Sequence, residues 1–148
     1  MKSVKAARLA VKMGYTNVRV YRDGYPGWAK AGYKLTSNAK YPKVSIPLLS
    51  PKDLKAKIDS GANIFLLDIR GKGMYKKAYI KGSVNIPLFI LDKNLDKLPK
   101  DKVIVLIDHA GKQTLIAGRY LKSKGFAKVM RLDGGIMAWI RAGLPVEK

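Results

Sequence analysis

Apolar positions along this 148-residue chain fall into blocks whose spacing alternates between two periods. "NIFLLDIR" (63–70) and "VIVLID" (103–108) are short, nearly continuous runs of branched and aliphatic residues, the pattern of strands buried on both faces. "SVNIP" (83–87) is a shorter run of the same kind, and "YPKVSIPLL" (41–49) reads as an extended lead-in. Between these runs the period lengthens. "PKDLKAKIDS" (51–60) is amphipathic, with Ser50 placed as N-cap and Pro51 at the first helical position. "GMYKKAYI" predicts a short helix and "LFILDKNLDKLP" a helical stretch. Strands alternating with helices imply an α/β domain, a mainly parallel central sheet with helices on both faces.

The two ends of the chain share one pattern. Residues 3–35, "SVKAARLAVKMGYTNVRVYRDGYPGWAKAGYKL", align without a gap on residues 114–146, "TLIAGRYLKSKGFAKVMRLDGGIMAWIRAGLPV". Ala6/Ala117, Arg8/Arg119, Gly14/Gly125, Val18/Val129, Gly24/Gly135, Trp28/Trp139, Ala31/Ala142 and Gly32/Gly143 are identical, and Tyr15/Phe126 is a near match. Each copy predicts an amphipathic helix closed at glycine, a short valine-containing strand, and a glycine turn leading into a short helix with a packing tryptophan. The expected organisation is a partial αβα repeat over residues 1–36, a linker over 37–42 and a complete domain over 43–148. Tyr21, Tyr25 and Tyr33 form no motif and are expected to flank the helix of Trp28.

Charge and composition narrow the chemistry. Thirty Lys and Arg against ten Asp and Glu give a net charge of +20. Residues 1–45 hold ten of the cations against Asp23 alone, so the excess is spread rather than gathered in a tract. With no nucleic-acid motif, a lysine-rich solvated surface is expected and no specific nucleic-acid partner. The absence of cysteine excludes disulfides, thiolate metal sites and a cysteine nucleophile; the single histidine, His109, and the scattered carboxylates leave no metal-binding pattern. No cofactor is expected. No apolar run approaches the ~18 residues of a membrane span. The basic start, interrupted by Lys12, is a poor signal peptide, so a cytoplasmic location is the default expectation.

The stretches "LLDIR", "YIKGSVNIPL", "LDKLPKDKVIVLI" and, after "YLKSKGF", "GGIMAWIRAGLPV" occur in one order across about 100 residues. In that order they resemble the rhodanese family of sulfurtransferases. Residues 3–35 resemble the C-terminal third of the same domain, so the chain looks like a truncated tandem rhodanese. The resemblance implies a three-layer α/β fold. It also implies a loop of the form Cys-Arg-x-Gly-x-Arg-Ser after the strand "VIVLI", whose inward N–H groups stabilise a thiolate that carries sulfane sulfur as a persulfide. Laid on this chain the seven positions are Asp108, His109, Ala110, Gly111, Lys112, Gln113 and Thr114. Glycine is kept, the nucleophile position is Asp108, and the arginine positions are His109 and Gln113. A carboxylate satisfies inward N–H donors but is no soft nucleophile, so this domain is expected not to transfer sulfur by the family mechanism. Asp108 would also repel an oxyanion, with Lys112 partly offsetting it, so an anionic ligand at the loop stays an open expectation. For Asp68 and Arg70 of "LLDIR" the resemblance implies a structural ion pair near the pocket.

Other readings of the loop fit less well. "HAGKQT" resembles the end of a phosphate-binding P-loop, but Leu106 stands where its first glycine belongs and Gln113 where Ser or Thr belongs. Asp108 and His109 as an acid/base pair lack a nucleophile, and adjacent side chains diverge. A capping aspartate beside a solvated histidine is the plain structural reading. At the level of the whole chain two expectations follow. Either it is the non-catalytic tail of a tandem thiosulfate or sulfane sulfurtransferase, or it is a complete non-catalytic module that binds an anion or a protein, with residues 1–36 pairing between chains in a homodimer.

Overall fold

A computed structural model describes residues 2–34 and 44–148. The chain divides into an N-terminal unit, residues 1–38, and a C-terminal unit, residues 39–148.

In the C-terminal unit, five parallel strands form one sheet in the order β1-β5-β4-β2-β3. They are β1 (Leu48–Leu49), β2 (Ile64–Asp68), β3 (Val84–Asn85), β4 (Val103–Ile107) and β5 (Val129–Leu132). The two continuous apolar runs are the paired inner strands β2 and β4, Ile64 opposite Val103 through Asp68 opposite Ile107. Their side chains alternate between two cores. Leu67, Ile104 and Leu106 pack with Ala117, Leu121 and Phe126 on one face, while Leu66, Val105 and Ile107 pack with Leu54, Ile136 and Trp139 on the other. Two-sided burial is why these strands lack a polar face.

Helices α3 (Pro51–Asp59), α4 (Lys72–Tyr75), α5 (Thr114–Ser123) and α6 (Gly135–Arg141) complete the three layers. Ser50 Oγ accepts the Asp53 amide at 3.1 Å with Pro51 in the first turn, the cap expected from the sequence. The stretch Leu88–Lys97 is 3-10 rather than α and is kinked at Asn94. Pro87 removes a donor at its start, and the Asn94 side chain donates to the Ile90 carbonyl at 2.7 Å.

The N-terminal unit holds α1 (Lys2–Lys12) and α2 (Gly24–Lys30). It repeats the geometry of α5 and α6 at the offset that superposes Gly14 on Gly125. Trp28 Nε1 donates to the Lys34 carbonyl at 3.2 Å, and Trp139 Nε1 donates to the Pro145 carbonyl at 2.8 Å. The helix-ending bond from Tyr15 N to Ala10 O recurs from Phe126 N to Leu121 O, both at 3.1 Å. Gly14 and Gly125, at φ +88° and +87°, share the left-handed turn that only glycine adopts without strain.

Two differences separate the copies. The strand expected around Val18 and Val20 does not form, whereas its counterpart β5 lies between β1 and β4. A strand is a property of a pair, and residues 18–21 have no ladder partner among the described residues. Burial also diverges, since Trp139 is 1% exposed and Trp28 is 41% exposed. No residue from 3 to 34 is buried, so the two helices and their glycine turns are present without a strand or a core.

Candidate functional site

The loop from Asp108 to Thr114 leaves the C-terminal end of β4, in the middle of the sheet, and runs into α5. Asp108 is 1% exposed, and its carboxylate turns back into the loop. Oδ1 accepts the Gly111 amide at 2.5 Å; Oδ2 accepts the amides of Gln113 at 2.6 Å and Thr114 at 3.2 Å. Three main-chain donors thus converge on one side chain. Hydrogen bonds to an ionised acceptor contribute ~1.5–3 kcal/mol each, enough to balance the burial of the carboxylate without a counter-cation.

Helix α6 closes the loop from below. Ile136 N donates to the Asp108 carbonyl at 2.8 Å and Met137 N to the His109 carbonyl at 3.2 Å. This approach requires the glycine pair. A Cβ on Gly135 would stand 2.6 Å from the Asp108 carbonyl oxygen and 2.7 Å from both Oδ1 and the Ala110 nitrogen. A Cβ on Gly111 would stand 3.0 Å from Gly134 N. Gly111, Gly134 and Gly135 all carry positive φ, at +77°, +64° and +61°. On the outer side Arg131 Nη1 and Thr114 Oγ1 donate to the Gly111 carbonyl at 3.4 and 3.3 Å.

Four of the remaining loop residues face solvent. His109, Ala110, Lys112 and Gln113 are exposed, Gly111 is half-buried and Thr114 is buried. Neither a hydrogen bond nor an ion pair joins His109 or Lys112 to Asp108 among the described residues. An acid/base pair therefore lacks its contact.

Asp68 and Arg70 lie at the same end of the sheet, at the end of β2. Arg70 Nη2 meets Asp68 Oδ2 at 2.6 Å, Nε lies 3.0 Å from both carboxylate oxygens, and the Arg70 amide donates to Oδ1 at 2.9 Å. Arg70 Nη2 also donates to the Ala78 carbonyl at 2.8 Å, and Asn85 Nδ2 donates to the Asp68 and Arg70 carbonyls. The buried pair ties the end of β2 to the turn after α4, and Asn85 ties the same segment to β3. Its cation is consumed there and is bonded to no atom of the loop.

Sequence reading alone missed Gly134, Gly135, Arg131 and Asn85 as parts of this arrangement. The doubled glycine ahead of a short helix was the available signal; the two polar side chains act across the sheet and left none. No group of three or more His, Cys, Asp or Glu able to hold a metal ion exists among the described residues.

Residues 50–142 match the rhodanese-like domain family, and the chain belongs to it. YrkF of Bacillus subtilis is 36% identical over 110 residues, 74% of this chain and 57% of that protein. The chain thus spans little more than half the length of that relative. A protein of Allochromatium vinosum named sulfurtransferase is 28% identical over 98 residues, 66% of this chain and 92% of its own. Among solved structures, a rhodanese-related protein from Thermoplasma volcanium superposes with a TM-score of 0.62 at 28% identity, covering 68% of this chain and 97% of its own. The thiosulfate sulfurtransferase of Pseudomonas aeruginosa shares the fold over 97% of this chain and 30% of its own, with a TM-score of 0.62 and 22% identity. No helix among the described residues is long and apolar enough to cross a membrane.

Proposed function

We propose that this chain is the non-catalytic tail of a tandem sulfurtransferase. Residues 43–148 form a rhodanese-like domain silenced by its own aspartate, residues 1–36 are the C-terminal third of a second such repeat, and the expected linker, 37–42, lies outside the described residues. The observation that carries the silence is the saturation of the Gly111, Gln113 and Thr114 amides by the Asp108 carboxylate. Those donors face the position where the family holds a thiolate. A carboxylate there supplies the negative charge but forms no bond to sulfane sulfur. An external oxyanion would have to displace a covalently tethered acceptor, so the loop floor is a poor anion site as it stands.

The tandem part is supported by the hydrogen bonds that recur at one offset in the two units and by a fold likeness that runs through both of them. In this reading sulfur transfer belongs to another domain of a longer protein, and the Asp108 domain supports it.

Incubation with thiosulfate followed by intact-protein mass spectrometry tests the silence. The chain is expected to gain no sulfur, and Asp108→Cys to gain one sulfur atom. The introduced thiolate attacks the sulfane sulfur, the S–S bond of thiosulfate breaks and sulfite leaves with the bonding pair. Sulfur loading of the unaltered chain would overturn the proposal. The mass of the protein isolated from its source cell tests the tandem part.

A further inference from the structure

The N-terminal unit carries an open groove of about 380 Å³ lined by Val4, Ala7, Arg8, Val11, Lys12 and Val18. The counterparts of these residues show what such a groove holds. In the C-terminal unit Ala7 corresponds to Gly118, Arg8 to Arg119 and Val18 to Val129. There Arg119 Nε donates to the Val44 carbonyl at 3.0 Å, and Ile46 lies so close that a Cβ on Gly118 would stand 2.9 Å from its Cγ1 and 3.0 Å from its Cγ2. The same segment then runs into β1, where the amides of Arg131 and Asp133 donate to the Pro47 and Leu49 carbonyls, both at 2.9 Å. The amides corresponding to these two, those of Val20 and Arg22, make no backbone hydrogen bond among the described residues.

We infer that this groove seats the extended lead-in segment of a rhodanese front half, with Arg8 donating to a main-chain carbonyl and a side chain smaller than isoleucine lying against Ala7. The size limit follows from Ala7, the lining residue that stands where Gly118 meets Ile46. Ala7 already carries the Cβ that would collide with Ile46 at Gly118, and the branched Cγ atoms of isoleucine cannot swing clear as a flexible chain end can. Residues 44–49 of a second copy bring Ile46 to that place. The groove therefore favours a different front half, with alanine, glycine or serine there, over exchange of segments between copies. The occupant would add hydrogen bonds to Val20 and Arg22 and convert residues 18–21 into a strand. This inference rests on the tandem reading.

The test joins a copy of residues 37–111 directly ahead of Met1 of the full chain, which reproduces the spacing between front half and back half in the C-terminal unit. With alanine in place of Ile46 in the added copy, the Val20 and Arg22 amides are expected to become protected from hydrogen exchange and Trp28 to be shielded from acrylamide. With isoleucine kept, protection falls by about tenfold or more, the cost of overpacking one site. Ala7→Gly in the chain restores it, and Arg8→Met lowers it in every version. The Arg131 and Asp133 amides of the same molecule report that the chain is folded. Equal exchange of Val20 and Arg22 in all versions, or no response to Ala7→Gly, overturns the inference. A stable dimer of the unmodified chain with these amides protected assigns the groove to a second copy and overturns it too. The tandem reading fails separately. If the source cell holds only the 148-residue chain, a closing fusion keeps the groove's assignment, and the segment then comes from a separate polypeptide. If the native protein is longer but every fusion stays open, the groove inference alone falls.

Discussion

The buried carboxylate of Asp108 has consequences that are local and measurable. It is the acceptor of three inward amides among the described residues, so Asp108→Ala leaves them unpaired, that of Thr114 buried and those of Gly111 and Gln113 partly so. The expected loss is about 1–3 kcal/mol in urea unfolding, the cost of a buried donor left without its acceptor. Formate should raise the melting temperature of Asp108→Ala and leave the unaltered chain unmoved, because only the variant has an unfilled set of donors. Equal response of the two proteins would mean that the loop collapses once the carboxylate is gone. Gly135 shows the same economy of space. Gly135→Ala drives a methyl group into the Asp108 carbonyl and Oδ1 at positive φ, and is expected to cost roughly 2–4 kcal/mol from strain and overpacking together. Gly125→Ala, also at positive φ but with open space around the new carbon, isolates the backbone share at about 1 kcal/mol. Comparable losses at the two sites would show that contact with the loop contributes nothing.

At the scale of elements, what the sequence discloses is what its neighbours along the chain decide. The inner strands announce themselves because every side chain of "VIVLI" must be apolar when both faces are covered, and α3 announces itself through Ser50 and Pro51. The 3-10 form of Leu88–Lys97 was hidden because its apolar spacing suits either helix and only the kink at Asn94 decides. The failure of a strand at Val18 and Val20 was hidden for a different reason: β propensity is present, but the partner that realises it is not among the described residues. The loop residues 108–114 were legible by position. The closing of that loop by Gly134 and Gly135 was not, since it joins segments more than twenty residues apart. The Asp68–Arg70 pair is an element-level tie between the end of β2 and the turn after α4. Arg70→Met should cost ~3–5 kcal/mol by leaving Asp68 buried without its cation, while Asp68→Asn with Arg70→Met should recover part of that loss. Strict additivity in chemical denaturation would remove the pair from the list of structural ties.

At the scale of the whole molecule, one sequence pattern meets two fates. In the C-terminal unit it is buried against β1 and β4; in the N-terminal unit it holds its helices, glycine turns and tryptophan hydrogen bond with no buried residue from 3 to 34. Local hydrogen bonds without a core open at low cost. Amides of α1 and α2 are therefore expected to exchange orders of magnitude faster than those of β4. In a Trp139→Phe background the remaining tryptophan should be readily quenched by acrylamide. Protection of α1 equal to that of β4 in the unmodified chain would show that this unit already has a cover.

The carboxylate at the floor of the loop has one more consequence. Where a loop of this kind is filled by sulfur, its acceptor changes with oxidant, electrophile and catalytic state, and the loop's hydrogen bonds change with it. Here the acceptor is a carboxylate held by carbon–carbon bonds, inert to peroxide and to thiol reagents, and the chain has no thiol for them to reach. The hydrogen bonds at the floor of this loop therefore do not depend on the oxidation state of a sulfur atom.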